Sequence, residues 1–396
     1  MQVEDVAVCS GCSLCSQICP KGAIKMVQDQ YGFMRPKVDM NLCIDCGICV
    51  KNCNVIAENV EFSPKYYAAK NIDLSVRMNS SSGGVFFELA RYFISNKHGV
   101  VYGAAYDIRN EMRVTTIRVD KIEDVNKLMG SKYVQSDMDV AYLAVKKDLQ
   151  NNICVCFSGT PCQVNALLSY LKQNKVSTDM LFTCDFVCHG VPSPRVWREY
   201  VQTCESLYND KMIDYRFRYK DNDCNWGTIN VCAQFNSNKL INTDFLKSYI
   251  NLYFANLMTR PDCQKCQFAK LERVSDLTLA DCWGIERAKP NFYDRNGVSM
   301  IIVSSQKSLE VLNTISASFE LSEVDINLLD QPHLSSPCIL SDKSETFWHL
   351  FEQKGYLACA KKYTEYGFLF KKYKAIRGFL GRQKNRILGH RRSNES

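Results

Sequence analysis

The sequence predicts a small α+β module dense in cysteine, followed by a larger α/β domain whose sheet is partly parallel. Three observations lead there. Eight of the 21 cysteines fall within the first 53 residues, in two copies of one spacing. Beyond Ser63-Pro64, short apolar strands alternate with amphipathic helices, the pattern of α/β chains. Several of those strands run straight into turns carrying Thr, Cys or His that open the next helix, the edge at which α/β sheets keep their ligands.

The cysteines decide the chemistry. The first copy reads Cys9-x2-Cys12-x2-Cys15-x3-Cys19-Pro20 and the second Cys43-x2-Cys46-x2-Cys49-x3-Cys53-Asn54. Two-residue spacers let one tight loop wrap three thiolates around a face of an iron–sulfur cube. The fourth cysteine lies a helical turn further on and points toward the cube of the other half. Cys9, Cys12, Cys15 and Cys53 are therefore expected to hold one 4Fe-4S cluster, and Cys43, Cys46, Cys49 and Cys19 the other. Gly11 and Gly47 allow the loops to bend. A structural zinc site takes four ligands, usually as two separated pairs, and fits this spacing badly. The pattern resembles the bacterial two-cluster ferredoxins over residues 5–56. It departs at Asn54, where proline usually follows the last ligand, and in the length of Ile24–Asp39. That stretch reads as a hairpin, Ile24–Val27 and Phe33–Val38 about a turn near Asp29–Gly32.

The body follows in order. Ser81-Ser82-Gly83-Gly84 precedes a helix with Val85, Phe86, Leu89, Ala90, Phe93 and Ile94 on one face. Strands are expected at Val100–Tyr106 and Val114–Val119, then a helix near Ile122–Met129 leading into Gly130-Ser131-Lys132-Tyr133. Helix Val140–Leu149 precedes strand Ile153–Phe157, which ends in Ser158-Gly159-Thr160-Pro161-Cys162-Gln163, with a helix on through Leu171. Strand Met180–Val187 ends in Cys188-His189-Gly190-Val191-Pro192, and helix Pro194–Leu207 begins just beyond. Strands Tyr215–Tyr219 and Ile229–Phe235 and helix Phe245–Met258 come next. The pair Cys263-x2-Cys266 follows, then strand Asp276–Ala280 running into Asp281-Cys282-Trp283-Gly284.

Four of these motifs, in this order, resemble the beta subunits of hydrogenases and dehydrogenases that use the deazaflavin coenzyme F-420: Gly130–Tyr133, Gly159–Gln163, Cys188–Ser193 and Asp281-x-Trp283-Gly284. The resemblance covers about residues 65–305. Relatives usually carry an aromatic residue at the position of Cys282. The resemblance implies FAD and an iron–sulfur cluster in the body, and the coenzyme F-420 as a substrate. Cys162, Cys188, Cys263 and Cys266 are the expected ligands of this third 4Fe-4S cluster, with Cys282 a rival for the fourth place. Read by themselves, Cys162 and Cys188 are better explained as buried small residues, and it is the resemblance that makes them ligands. Cys154, Cys156, Cys184, Cys204 and Cys232 fall in strand or helix patterns and are expected in the core. The expected flavin contacts are Ser82, Gly83, Gly84, Gly130, Ser131, Lys132, Tyr133, Gly159 and Thr160. Their physical support is that Ser82–Gly84 and Gly159-Thr160 open helices, whose N–H groups suit a pyrophosphate. A flavin also converts between one-electron clusters and two-electron substrates.

The domains expected are therefore 1–58 with two clusters, 65–145 on the flavin side, 146–310 with the third cluster, and 311–396 as a C-terminal extension. Two functions remain. One is an iron–sulfur flavoprotein oxidoreductase passing electrons between a ferredoxin-like protein and an organic acceptor, the candidates being F-420 or a sugar of cell-surface polysaccharide synthesis. The other is an electron-transfer subunit serving a separate catalytic chain. His189 is the catalytic candidate, as an acid or base or as a structural histidine. Net charge is +7, and residues 361–392 hold eleven Lys/Arg against one acid, Glu365. The rest of the chain is slightly acidic, so nucleic acid is not an expected partner. Part of that tail, Leu369, Tyr373, Ile376 and Leu380, has helical spacing and is expected to contact an anionic membrane surface or the protein's own body. No apolar run reaches the roughly 18–20 residues of a membrane span, and no export leader is seen. The expected location is the cytoplasm, with a peripheral place at the inner membrane face only if the tail contacts lipid.

Overall fold

The computed structural model describes residues 2–53, 55–56, 62–223 and 225–367. The amphipathic stretch expected from Leu369 to Leu380, and Asn54, lie outside the described residues.

The N-terminal module is of the ferredoxin type. Strands β1 (Ile24–Gln28) and β2 (Met34–Val38) form an antiparallel hairpin with Ile24 opposite Val38. Short helices Leu14–Ile18 and Ile48–Lys51 each contain the third cysteine of a quartet and end just before the fourth. The duplication extends to the backbone: Gly11 and Asp45, and likewise Ser13 and Gly47, occupy equivalent places with positive φ.

The larger α/β domain is built on β3 (Lys65–Asn71), β4 (Val100–Asp107), β5 (Arg113–Val119), β6 (Val155–Ser158) and β7 (Leu181–Phe186). Three strands of a smaller sheet follow: β8 (Met212–Arg216), β9 (Cys232–Phe235) and β10 (Lys239–Ile241). The main sheet is completed by β11 (Leu277–Asp281), β12 (Ser299–Val303) and β13 (Phe319–Glu323). Its eight strands lie in the order β13-β3-β12-β11-β7-β6-β4-β5. The centre β11-β7-β6-β4 is parallel, and the flanks are antiparallel. The expected partly parallel sheet is thus present. One sheet draws strands from each of the stretches 65–145, 146–310 and 311–396.

Alternation along the strands sorts the core. Val101, Cys156 and Phe182 face Leu89 and Ala90 of helix Val85–Arg91 and Phe93 just beyond it. Tyr102, Val155, Phe157 and Leu181 face the opposite layer, where Tyr142, Val145, Val164, Leu167 and Leu171 come from helices Ala141–Gln150 and Pro161–Gln173. With both faces covered, a buried strand such as β12 carries an apolar run, Met300–Val303, rather than alternation. A third core gathers Trp197, Tyr200 and Tyr249 from helices Pro194–Tyr208 and Asp244–Phe254 over the smaller sheet, with Phe347 and Phe351 of helix Ser344–Tyr363.

The ferredoxin module packs into two of these cores. Leu14 and Ile18 join the layer of Tyr142 and Val164, and Phe33 is buried among Trp197 and its neighbours. Arg35 pairs with Asp262, whose Oδ1 also accepts from the Cys9 N–H at 3.0 Å. The module is therefore held on the body at the loop that precedes Cys263.

Candidate redox centres and cofactor cavity

The chain's local rules place the thiols of the first module. Cys9, Cys12, Cys15 and Cys53 border one cavity, and Cys19, Cys43, Cys46 and Cys49 border a second, with Cys49 on the rim of both. The fourth cysteine of each quartet thus stands with the first three of the other. Burial first, then the neighbouring thiols of Cys12 and Cys9, push Cys53 up to about 12. Cys15 is raised by burial and then by Cys12, Cys9 and Cys53. Thiols that oppose one another's ionisation this way are held as thiolates only with cationic metal among them, which a 4Fe-4S cube supplies. The donor set fits two cubes. Cys46 is solvent-exposed whereas Cys15 is buried, so the second cavity is the outer one.

The body thiols come from three distant loops. Cys162 stands in the first turn of helix Pro161–Gln173, because the motif is a helix start. Pro161 occupies the first helical position, and the Thr160 N–H donates to Gln163 Oε1 at 3.0 Å. Ser193 caps helix Pro194–Tyr208, accepting from Arg195 and Val196, which fixes the Cys188–Pro192 turn after β7. Cys263 lies in the 3-10 turn Pro261–Lys265, with Cys266 closing it. Cys188 is raised by burial, then by Cys263, Cys162 and Cys266. Cys162 is pushed to about 12, first by burial and then by Cys12 and Cys266. Burial, Cys338, Cys162 and Cys266 raise Cys263. Every pair among Cys162, Cys188, Cys263 and Cys266 is thus within electrostatic reach, and four thiols are the donor chemistry an iron–sulfur cluster takes.

Cys282 does not join them. It is fully buried in a separate core with Ala68, Ile285 and Met300. Burial raises it first, and then the charges of Asp281 and Glu286. Cys338 does come close, on the side of Cys263 and Cys266. Sequence reasoning passed over it because a solitary cysteine carries no spacing signal. Of the cysteines expected in the core, Cys156, Cys184, Cys204 and Cys232 are buried and Cys154 is partly so.

At the carboxyl edge of the parallel strands lies a cavity of about 580 Å³. This is the size and place of a small-molecule site in an open α/β sheet. Eight of the nine expected flavin contacts line it: Ser82, Gly84, Gly130, Ser131, Lys132, Tyr133, Gly159 and Thr160. Gly83 lies behind. A Cβ there would stand 2.2 Å from the Ala69 carbonyl oxygen, so this glycine lets the serine turn press against the sheet. Its N–H donates to Ser299 Oγ at 2.8 Å. The Lys132 ammonium is occupied by the Lys127 and Met129 carbonyls, each at 2.8 Å. A cation missed in the sequence is Lys220, which donates to the Ser82 and Asn296 carbonyls at 2.8 and 2.6 Å. Burial lowers it to about 7. No motif marked it, since it acts on a turn more than 130 residues away.

Cys188 and His189 line the same cavity, as do Arg218, Asp281 and Gln331. The His189 ring lies 4.1 Å from that of His333. Burial and then His333 depress His189 to about 4, so the ring is neutral at ordinary pH and its surroundings oppose its taking up a proton.

A 4Fe-4S dicluster model matches residues 8–57, and the model for the C terminus of the coenzyme F420 hydrogenase/dehydrogenase beta subunit matches residues 154–327. Residues 154–327 thus belong to the coenzyme F420 hydrogenase/dehydrogenase beta-subunit family, with a dicluster domain in front. Among curated members, the coenzyme F420-dependent sulfite reductase of Methanocaldococcus jannaschii is 28% identical over 174 residues, 42% of this chain and 26% of that protein. An F420H2 dehydrogenase subunit of Methanosarcina mazei is 25% identical over 221 residues, 52% of this chain and 56% of that one. The matches thus span about a quarter and about half the length of these relatives. A chain of the F420-reducing [NiFe] hydrogenase complex of Methanosarcina barkeri aligns at a TM-score of 0.45 and 15% identity, over 74% of this chain and 88% of that one. No helix among the described residues is long and apolar enough to cross a membrane.

Proposed function

We propose that this family member is an iron–sulfur flavoprotein oxidoreductase. Electrons would enter from a ferredoxin-like protein at the outer cluster, pass to the inner one, and continue through a third cluster to FAD and an organic acceptor. One observation carries the reading: the redox sites are contiguous. Cys162, in the body ring, also borders the cavity of Cys9, Cys12, Cys15 and Cys53. Cys188, in the same ring, borders the 580 Å³ cavity. Each neighbouring pair of sites therefore shares a wall.

The residues present suit a flavin. The Ser81–Ser82 turn borders the cavity where a pyrophosphate would lie, whereas the Gly159 and Thr160 N–H groups are already bonded to the Cys184 carbonyl and Gln163 Oε1. When bound, FAD would exchange single electrons with clusters and electron pairs with an organic molecule. The chain's own part is to bind, orient and exclude water. Lys220 fixes the serine turn, Tyr133 and Phe254 wall the cavity, and the neutral His189 ring stands beside it. The names of the relatives support coenzyme F420 as the first acceptor to try.

Anaerobically purified protein is expected to carry about twelve irons and one FAD per chain. Cys188→Ala should remove about four irons and leave the dicluster signals. A protein with eight irons, no flavin and no reduction of F420 or any dye would overturn the reading.

A further inference from the structure

Arg260 is the most deeply buried cation of the described chain, with no exposed surface. It belongs to the body, three residues before Cys263, yet its partners are mostly in the ferredoxin module. Nε donates to the Cys9 carbonyl at 2.7 Å, and one terminal nitrogen donates to the Met34 carbonyl at 3.1 Å. The other donates to Gln135 Oε1 at 3.2 Å. The guanidinium also lies over the Phe33 ring, 5.3 Å from its centroid. Its nearest carboxylate, Asp262, is 3.5 Å away and is shared with Arg35. A fully desolvated cation with only a shared counter-charge is costly unless other anions lie close. The guanidinium lies against the loop of the inner quartet: besides its bond to the Cys9 carbonyl, a terminal nitrogen would stand 2.7 Å from a Cβ built at Gly11, between Cys9 and Cys12.

A cube held by four thiolates is anionic, and reduction adds one more negative charge. Burial opposes that step and a nearby cation favours it, so net charge and surroundings set the potential. Without compensation the buried inner cluster would be harder to reduce than the outer one, whose Cys46 faces water. We propose that Arg260 is a potential-setting residue, whose buried cation raises the reduction potential of the Cys9/Cys12/Cys15/Cys53 cluster and draws electrons inward across the seam between ferredoxin module and body. This rests on the dicluster domain alone and stands whether or not the body binds FAD.

The test is an EPR-monitored redox titration of the full-length anaerobic protein, with Cys46→Ala variants used to isolate the inner-cluster signal. Arg260→Met should disfavour reduction of the inner cluster at least tenfold, which for a one-electron couple is about 59 mV, and leave the outer cluster unmoved. Arg260→Lys keeps the charge and should restore most of the shift. Asp262→Asn removes the opposing charge and should move the inner cluster the other way. Equal shifts in Arg260→Met and Arg260→Lys would reduce Arg260 to a structural bolt and overturn the proposal, as would equal movement of both clusters. Should Arg260→Met fail to hold iron, Asp262→Asn decides, and no upward shift there refutes it.

Discussion

Gly190 is where the body thiols are most tightly constrained, and replacing it with alanine tests that constraint. Its φ is +87°, a left-handed conformation. A Cβ built there would lie 2.6 Å from Thr259 Cγ2, 2.9 Å from Cys338 Sγ and 3.2 Å from Cys263 Cβ. Thr259 has no exposed surface and Cys338 only 4%, so neither can retreat into solvent. The Gly190 carbonyl also accepts from the Tyr253 hydroxyl at 3.2 Å, which pins the turn from the other side. Gly130 provides the control: its φ is +80°, but a Cβ there meets nothing within 4 Å. Left-handed backbone costs an alanine about 1–2 kcal/mol, offset by about 0.4–1 kcal/mol from a stiffer unfolded chain. Gly130→Ala should therefore lose roughly 1 kcal/mol. Gly190→Ala adds crowding of a packed site, about 1–3 kcal/mol more, for a total of roughly 2–4 kcal/mol. Urea unfolding of the two variants in parallel, followed by tryptophan fluorescence under argon, reads the difference. Iron content should also fall by about four in Gly190→Ala alone, because Cys188 and Cys263 lie on either side of the displaced turn. If the two variants unfold within about 0.5 kcal/mol of each other, the turn yields freely and the reasoning fails.

Two further outcomes follow from the geometry. Cys53→Ala should remove the cluster of Cys9, Cys12 and Cys15 and spare that of Cys43, Cys46 and Cys49, whereas Cys19→Ala does the reverse. Iron counts and EPR on single-cluster variants check this, and loss of the same-quartet cluster in either case would contradict the crossed arrangement. Lys220→Met leaves the Ser82 and Asn296 carbonyls without their donor, at about 1–3 kcal/mol each, and should weaken FAD retention at least tenfold by flavin fluorescence. Burial holds Lys220 near 7 against its ordinary 10.5. Between those values the unfolded chain binds the extra proton, so in flavin-free protein this lysine's penalty is relieved as pH rises from about 7 to 10.5. The variant should lack that rise, and parallel pH profiles of the two proteins would refute the assignment.

Much of this molecule was legible one segment at a time. The paired quartets announced two clusters because a cube's first three ligands lie on one short loop, whose geometry is local. The helix starts at Pro161 and Pro194 were legible for the same reason: cap, proline and first turn are neighbours in sequence. Boundaries that depend on partners were less so. The strand expected at Tyr215–Tyr219 is Met212–Arg216, because pairing with β9 runs through Met212–Phe235 and Arg216–Cys232. The helix expected through Met258 ends at Phe254, freeing the chain to carry Thr259 and Arg260 into the core.

The order of residues along the chain thus dictates the chemistry: two clusters in the first module, and strand ends that meet a cavity in the second. Folding in three dimensions wires those sites together. Strands β3, β12 and β13 show no motif and are defined by the antiparallel partners that close the sheet. Cys162, Cys188 and Cys263 become one ring only when β6, β7 and the Pro261 turn converge. Lys220 and Arg260 acquire their roles from carbonyls more than 130 and 250 residues away. The physical reason is the same throughout. Local geometry is dictated by near neighbours, whereas desolvation and electrostatics depend on whatever the fold brings within a few ångströms.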